Sequence, residues 1–250
     1  MLYIVGYGEM AKAILRGLKN GKWDMENVGV VGRNEEKLKN IEKEFNVKTF
    51  LLDGFDITDK EIILAVKPYA LTEISMRIKG VANTLYSILA GKSLTEIEKY
   101  IKAKFYIRAM PNIAAAFSAS TTAVTGDVEV KKRAEEIFSY IGDVVWVEND
   151  DEIDMATAII GSGPAFLAII AEAVSDGGVY IGLKREIANK LTKGLFKSFS
   201  KIDMNFSEIK DKVMSPKGTT AEGILEMEDN KARGTILKVI KKTYEKSKKL

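Results

Sequence analysis

The 250-residue chain contains no cysteine and no histidine. Without cysteine there is no disulfide, no thiolate nucleophile and no Cys-ligated zinc or iron–sulfur site. Without histidine there is no imidazole base, which excludes a Ser-His-Asp triad and a His-ligated metal. Excess charge of one sign is missing too: 38 Lys and Arg against 35 Asp and Glu leave a formal net charge of +3, so nothing demands a nucleic acid or membrane partner. The amino terminus has no basic segment followed by a long apolar one, so no secretory signal is read and a cytoplasmic location is expected. Whatever chemistry occurs falls to a cofactor, carboxylates, lysines, hydroxyls or backbone groups. That favours a hydride carrier.

What is present is organised around the first eighteen residues. Leu2 to Val5 is a short apolar run, followed at once by Gly6-x-Gly8-x-x-Ala11 and by Ala13, Ile14, Leu15 and Leu18 at helical spacing. Strand, tight turn and helix are expected. In such a turn the first glycine permits the reversal, the second lets the backbone approach a pyrophosphate, and small Ala11 lets helix and strand pack closely. The phosphates then rest on the free N–H groups and positive end of the helix. Glycine turns also serve plain chain reversal, but the position between a first strand and a helix favours a dinucleotide site.

Further short apolar runs are expected as strands at Val28–Val31, Glu61–Val66, Leu85–Leu89, Phe105–Met110, Thr121–Thr125 and Val144–Val147. Helical patterns fall at 35–45, 71–78 and about 130–141, and Ser93-Leu-Thr-Glu96 is a capping box ahead of a short helix. Strands alternating with helices imply parallel β-α-β units and a doubly wound sheet. From about Asp150 the pattern is helical only: 153–160, 164–180, 184–201, 207–214, 219–227 and from Ala232 to the end. The fold class read here is therefore α/β, with an N-terminal Rossmann-type doubly wound domain, residues 1–149, and an all-helical C-terminal domain, residues 150–250. The uncharged stretch Ala156 to Ala171 falls short of the ~20 residues that a bilayer crossing needs. It is read as a helical face that meets another subunit.

No acid stands at the tip of the second strand, Val31-Gly32-Arg33-Asn34, where a carboxylate would receive the ribose hydroxyls of NAD. Arg33, Asn34 and Lys37 are instead suited to a ribose phosphate, so NADPH is expected ahead of NADH; the plainer alternative is an exposed loop with Glu35 and Glu36 capping the next helix. Lys67 in Ala65-Val66-Lys67-Pro68 suits a cofactor phosphate or ribose, or is simply solvated. Met110 and Pro111 in Arg108-Ala-Met-Pro-Asn112 suit a nicotinamide wall, or only turn the chain. In the helical half, Met214-Ser-Pro-Lys-Gly-Thr-Thr-Ala-Glu222 carries a capping box, Thr219-x-x-Glu222. Gly218 and the two threonine hydroxyls at a helix start also suit a substrate carboxylate.

Together these motifs resemble the pyrroline-5-carboxylate reductase family. The matching stretches are Gly6-x-Gly8-x-x-Ala11, Ala65-Val-Lys-Pro68, Ala90-Gly91, Arg108-x-Met-Pro-Asn112, Gly161-Ser-Gly-Pro-Ala165 and Ser215-Pro-x-Gly-Thr-Thr220, in family order and nearly end to end. The resemblance implies that Gly6, Tyr7, Gly8, Glu9, Met10 and Ala11 hold the dinucleotide, with Arg33 and Asn34 near its ribose phosphate. Val66, Lys67, Ala90, Met110, Pro111 and Asn112 continue that site. It further implies that Gly218, Thr219 and Thr220 hold the substrate carboxylate, with Ser215 nearby, Thr220 towards the ring nitrogen and Asp150 near product. A homodimer through the helical domain is implied, with a decamer of dimers as its higher assembly. Four positions depart from the pattern: Glu9 where an amide is common, Ala114 and Ala115 for a frequent Thr-Pro, and Lys217 for a frequent Gly.

The expected reaction is hydride transfer from NADPH, or NADH, to the imine carbon of 1-pyrroline-5-carboxylate, giving L-proline. A β-hydroxyacid dehydrogenase is the nearest rival enzyme. It needs a lysine on the long central helix, and none occurs between Ala156 and Leu183. A non-catalytic NADPH-binding regulator and a reductase of a related cyclic imine are the other readings.

Overall fold

In the computed structural model, which describes residues 1–248, the first apolar run forms β1 (Leu2–Val5) and the helix after it α1 (Glu9–Asn20). Residues 249 and 250, the tip of the expected last helix, lie outside the described residues. The nucleotide half continues as β2 (Val28–Gly32), α2 (Glu35–Phe45), β3 (Lys48–Leu51), β4 (Phe55–Asp56), β5 (Glu61–Leu64), α3 (Leu71–Arg77) and β6 (Ile78–Lys79). Then follow β7 (Ala82–Ser87), α4 (Leu94–Tyr100), β8 (Ala103–Met110), β9 (Ser120–Gly126), α5 (Lys131–Ser139) and β10 (Gly142–Trp146). β4 and β6 pair only with each other, and the other eight strands form one sheet in the order β10-β9-β8-β7-β5-β1-β2-β3.

Local chemistry explains several boundaries. Asn34 starts α2 by accepting a hydrogen bond from the Lys37 amide at 2.9 Å, and Asn46 ends it in the left-handed conformation. Ser93 caps α4 through the Glu96 amide at 3.2 Å, as the sequence predicts. The edge strand β3 is not announced by the pattern: Lys48-Thr-Phe-Leu51 is half exposed and has no apolar run.

The sheet is doubly wound. Leu2 and Ile4 pack on one face with Ile14, Leu15 and Leu18 of α1, Leu38 and Ile41 of α2, and Phe138 of α5. Val5, Val31 and Leu64 pack on the other with Leu71 and Ile74 of α3 and Ile97 of α4. Each such side chain taken from water contributes about 2 kcal/mol. The pairings are parallel except one: β8 and β9 run antiparallel, Ile107 opposite Gly126. Their connection, 111–119, holds only a 3-10 turn, Ile113–Phe117, and is shorter than a parallel crossover requires.

At the amino edge of this sheet the Trp23 ring meets Tyr140 edge-on, with ring centres 4.8 Å apart, and Arg133 lies over it. Arg133 also pairs with both carboxylate oxygens of Glu61, at 2.9 and 2.8 Å, while the Tyr86 hydroxyl donates to Glu61 at 3.0 Å. Burial alone pushes the Glu61 carboxyl up. Arg133 and Tyr86 outweigh burial and hold it below the usual glutamate range.

The rest is helical: α6 (Asp150–Ala156), a π-helical turn Thr157–Gly161, α7 (Gly163–Tyr180), α8 (Arg185–Phe199), α9 (Phe206–Val213), α10 (Thr219–Asp229) and α11 (Ala232–Ser247). Two compact units result. One contains residues 1–162 and the end of α11 from Thr243, and the other contains Gly163–Lys242. In the second, α7 and α8 form a hairpin tied by the Ser175 hydroxyl donating to Asn189 at 2.6 Å and by Arg185 on Asp176. The helical run Asp150–Tyr180 is longer than the uncharged stretch suggests. By length and composition it is apolar enough to cross a membrane, and only 17% of its most apolar window is buried.

Candidate active site

The sheet reverses its winding between β1 and β5: the chain moves outward from β1 to β2 and β3, then returns to build β5, β7 and β8 on the other side. Ligands in such folds bind at the carboxyl ends of the strands beside this reversal. The residues expected at a dinucleotide follow those ends in spatial order. Met110 ends β8 with Pro111 and Asn112 after it, Ala90 follows β7, Val66 and Lys67 follow β5, the 6–11 turn follows β1, and Arg33 and Asn34 follow β2. Five neighbouring strand ends at ~4.8 Å spacing span about 19 Å.

The turn after β1 is shaped by close approach. Gly6 has φ +115°, and a Cβ there would lie 2.3 Å from the Ala65 carbonyl oxygen and 3.1 Å from Val66. Only glycine fits this junction between the first and fourth main strands. Gly8 differs: it precedes α1 with no side-chain cap, and a Cβ on it would meet nothing within 4 Å. The first amides of α1 lack an intrahelical acceptor and no side chain caps them, so the turn fits a pyrophosphate. Ala11 is buried beneath the turn, and Met10 packs against the same core. The departure at Glu9 is harmless to this geometry, because its side chain is 91% exposed and leans towards Lys12.

Charged side chains crowd the tip of β2. The Tyr7 ring covers Gly32, where a Cβ would lie 2.3 Å from the ring, and Lys37 stands over the ring at 5.8 Å. Asn34 spends its side-chain oxygen on the helix cap. Arg33 donates from Nη1 to both oxygens of Glu73, at 3.0 and 3.1 Å. Glu73, and then Tyr7, hold the guanidinium above its usual pKa. Sequence reasoning missed Glu73. It stands forty residues beyond Arg33 on α3, and no local pattern links the two.

At the other end of the row, Ala90 and buried Met110 pack with Ile153 of α6 in one small cluster. Pro111 is buried, and the Asn112 side chain accepts from the Ala114 amide at 2.9 Å to start the 3-10 turn. Beneath them, Arg108 is buried to 1% exposure and pairs with Asp150 at 2.9 Å and Asp154 at 2.5 Å. Asp150 also accepts from the Leu94 amide at 3.0 Å. The carboxylate expected near product is thus engaged by Arg108 and the start of α4, with 30% of its side chain exposed.

In the second unit, Ser215 to Gly218 form a tight turn in which the Gly218 amide donates to the Ser215 carbonyl at 3.0 Å. A Cβ on Gly218 would lie 2.3 Å from the Ser215 hydroxyl, so a larger residue here requires that hydroxyl to turn away. Lys217 has φ +60°, a left-handed conformation that glycine adopts more readily than lysine. The expected capping box is displaced by one residue: Gly218 precedes α10, Thr219 is its first helical residue, and no side chain caps the turn. The first amides of α10 thus lack an intrahelical acceptor. Ser215 and Thr219 are exposed and Thr220 is half-buried.

Comparison with known proteins agrees from end to end. Residues 150–250 match the family described as pyrroline-5-carboxylate reductase dimerisation, and residues 2–91 match the one described as NADP oxidoreductase coenzyme F420-dependent. The chain is 35% identical to pyrroline-5-carboxylate reductase of Synechocystis sp., across 100% of this chain and 97% of the relative. It is 32% identical to that of Helicobacter pylori, across 98% of both. The structure of the Coxiella burnetii pyrroline-5-carboxylate reductase superposes with a TM-score of 0.86 at 26% identity, covering 99% of this chain and 97% of that one. The Plasmodium falciparum pyrroline carboxylate reductase with NADP bound superposes with a TM-score of 0.80 at 25% identity, covering 99% and 96%. The chain belongs to the pyrroline-5-carboxylate reductase family.

Proposed function

We propose that this chain reduces 1-pyrroline-5-carboxylate to L-proline, the last step of proline biosynthesis, with NADPH as the preferred donor and NADH as a second. The observation that carries the reading is the row of five strand ends bearing Gly6–Ala11, Arg33, Val66, Ala90 and Met110. It is supported by two full-length relatives above 30% identity and by a similar structure with NADP bound.

The bound nicotinamide supplies a hydride; the chain supplies position. Gly6 and Gly8 let the backbone approach, and the α1 amides, with Tyr7 and Met10 alongside, hold the pyrophosphate. Arg33 carries the ribose phosphate, next to Asn34, while Lys67 and Val66 continue the cradle. Ala90, Met110, Pro111 and Asn112 wall the nicotinamide and keep water from it. The Gly218, Thr219 and Thr220 amides receive the substrate carboxylate beside Ser215, and the Thr220 hydroxyl hydrogen-bonds the ring nitrogen. Because a protonated cyclic imine is already electrophilic, no strong acid is required, which accords with a chain that has no histidine. Asp150 lies near product through its exposed edge, its pairing with Arg108 fixing its place.

For function we keep the division at 1–149 and 150–250, supported by the dimerisation family that matches 150–250. The exposed apolar side of α7 meets a second copy rather than a bilayer, in a cytoplasmic homodimer. Sedimentation of the purified protein distinguishes this dimer from a decamer of dimers.

Mixing protein, NADPH and 1-pyrroline-5-carboxylate should consume NADPH in step with proline formation. Thr220→Ala should lower kcat about a hundredfold while NADPH affinity changes less than about twofold. Unchanged turnover would remove Thr220 from the mechanism; NADPH binding without proline would sink the reading as a whole.

A further inference from the structure

The tip of β2 carries no acid in sequence, yet the fold delivers one. Glu73, in the first turn of α3, places both carboxylate oxygens on Arg33, and Oε1 also forms an ion pair with Arg77 Nη2 at 3.1 Å. Arg77 is held in turn by Asp53, Nη1 to Oδ1, at 3.1 Å. Asp53, Arg77, Glu73 and Arg33 form a row of alternating charge that sums to zero. The Glu73 carboxylate, 36% exposed, thus stands between two guanidinium groups at the surface of this corner.

Two chemical consequences follow from where it stands. An anionic phosphate arriving at Arg33 meets a guanidinium already neutralised on its Nη1 side, with only Nε and Nη2 outside that pair, and feels the repulsion of Glu73. A ribose hydroxyl meets the opposite: a carboxylate beside the second strand's tip is the acceptor that such sites use to hold it. The same residue therefore weakens the phosphorylated dinucleotide and strengthens the unphosphorylated one.

We propose that Glu73 is the specificity-determining residue of the cofactor site, an acceptor for the ribose hydroxyls supplied from α3 that admits NADH and holds down the preference for NADPH. This rests on the reading that Arg33 faces the ribose phosphate. Equilibrium dissociation constants for NADPH and NADH, read from nicotinamide fluorescence at low and high salt, test both statements. Glu73→Gln should tighten NADPH about threefold and loosen NADH about threefold at low salt, raising the affinity ratio about tenfold, with the NADPH gain shrinking as salt screens the repulsion. Glu73→Asp, which keeps the charge, should stay within about twofold of the native ratio. A ratio that is unchanged or lower in Glu73→Gln overturns the proposal. Arg33→Ala separates the two failures, since it should lower the ratio about tenfold or more. If it does so while Glu73→Gln has no effect, only the role of Glu73 fails. If Arg33→Ala leaves the ratio intact, the phosphate reading fails and the proposal falls with it.

Discussion

The two units of this chain solve the burial problem differently. In the first, both faces of the sheet are covered by helices, and side chains such as Ile4, Leu15, Leu64 and Phe138 are sealed from water. In the second, among the described residues of Gly163–Lys242, only Ser175, Ala188, Thr192 and Ile209 are buried. Leu167, Ile169, Ile170 and Val174 of α7 and Leu191 and Leu195 of α8 stay exposed. Helices with apolar residues around much of their circumference cannot be stable in water in that state. One unit has its core within itself, whereas the other has half of a core.

The largest effect should come from spoiling that half. Ile170→Lys places a charge on the apolar side of α7 and should weaken dimerisation by about ten-thousandfold or more, read by sedimentation. NADPH affinity in the first unit should survive. If the protein stays dimeric, the exposed face is not the interface.

A second variant tests the self-contained unit. Arg108→Met strands Asp150 and Asp154 around a vacated, buried position and should cost about 3–5 kcal/mol, measured by urea unfolding. A loss below 1 kcal/mol would mean that the cluster is dispensable.

The smallest effect lies at the amino edge. The folded state holds the Glu61 carboxyl below its unfolded value, so its contribution is present above the ordinary glutamate pKa of about 4.3 and is lost as pH falls through the lower folded value. Glu61→Gln should cost about 2 kcal/mol at neutral pH. Its unfolding free energy should then fall less steeply with acid than that of the native chain. Parallel pH curves would show that Glu61 is not a source of acid sensitivity.

The sequence made most of the first unit legible because β1, β2, β5 and α1 are continuous apolar patterns that need no partner to be recognised. What it hid depended on pairs far apart. The antiparallel β8 and β9 follow from a connection too short for a crossover, and β3 is recruited by its neighbour rather than by its own composition. Arg108 and Asp150 could each be named but not their pairing, and Arg33 could be named without Glu73. The Thr219–Glu222 pattern satisfied the rule for a capping box, yet Gly218 took the position first.

Trp23, set against Tyr140 and Arg133, has one further consequence. Trp23 and Trp146 are the chain's two tryptophans, and both lie in the first unit. Selectively excited tryptophan fluorescence therefore reports on the first unit alone, while circular dichroism also counts the helices of Gly163–Lys242. The protein carries its own differential label: any gap between the two signals on dilution or heating measures how far the half-core has come apart before the whole core does.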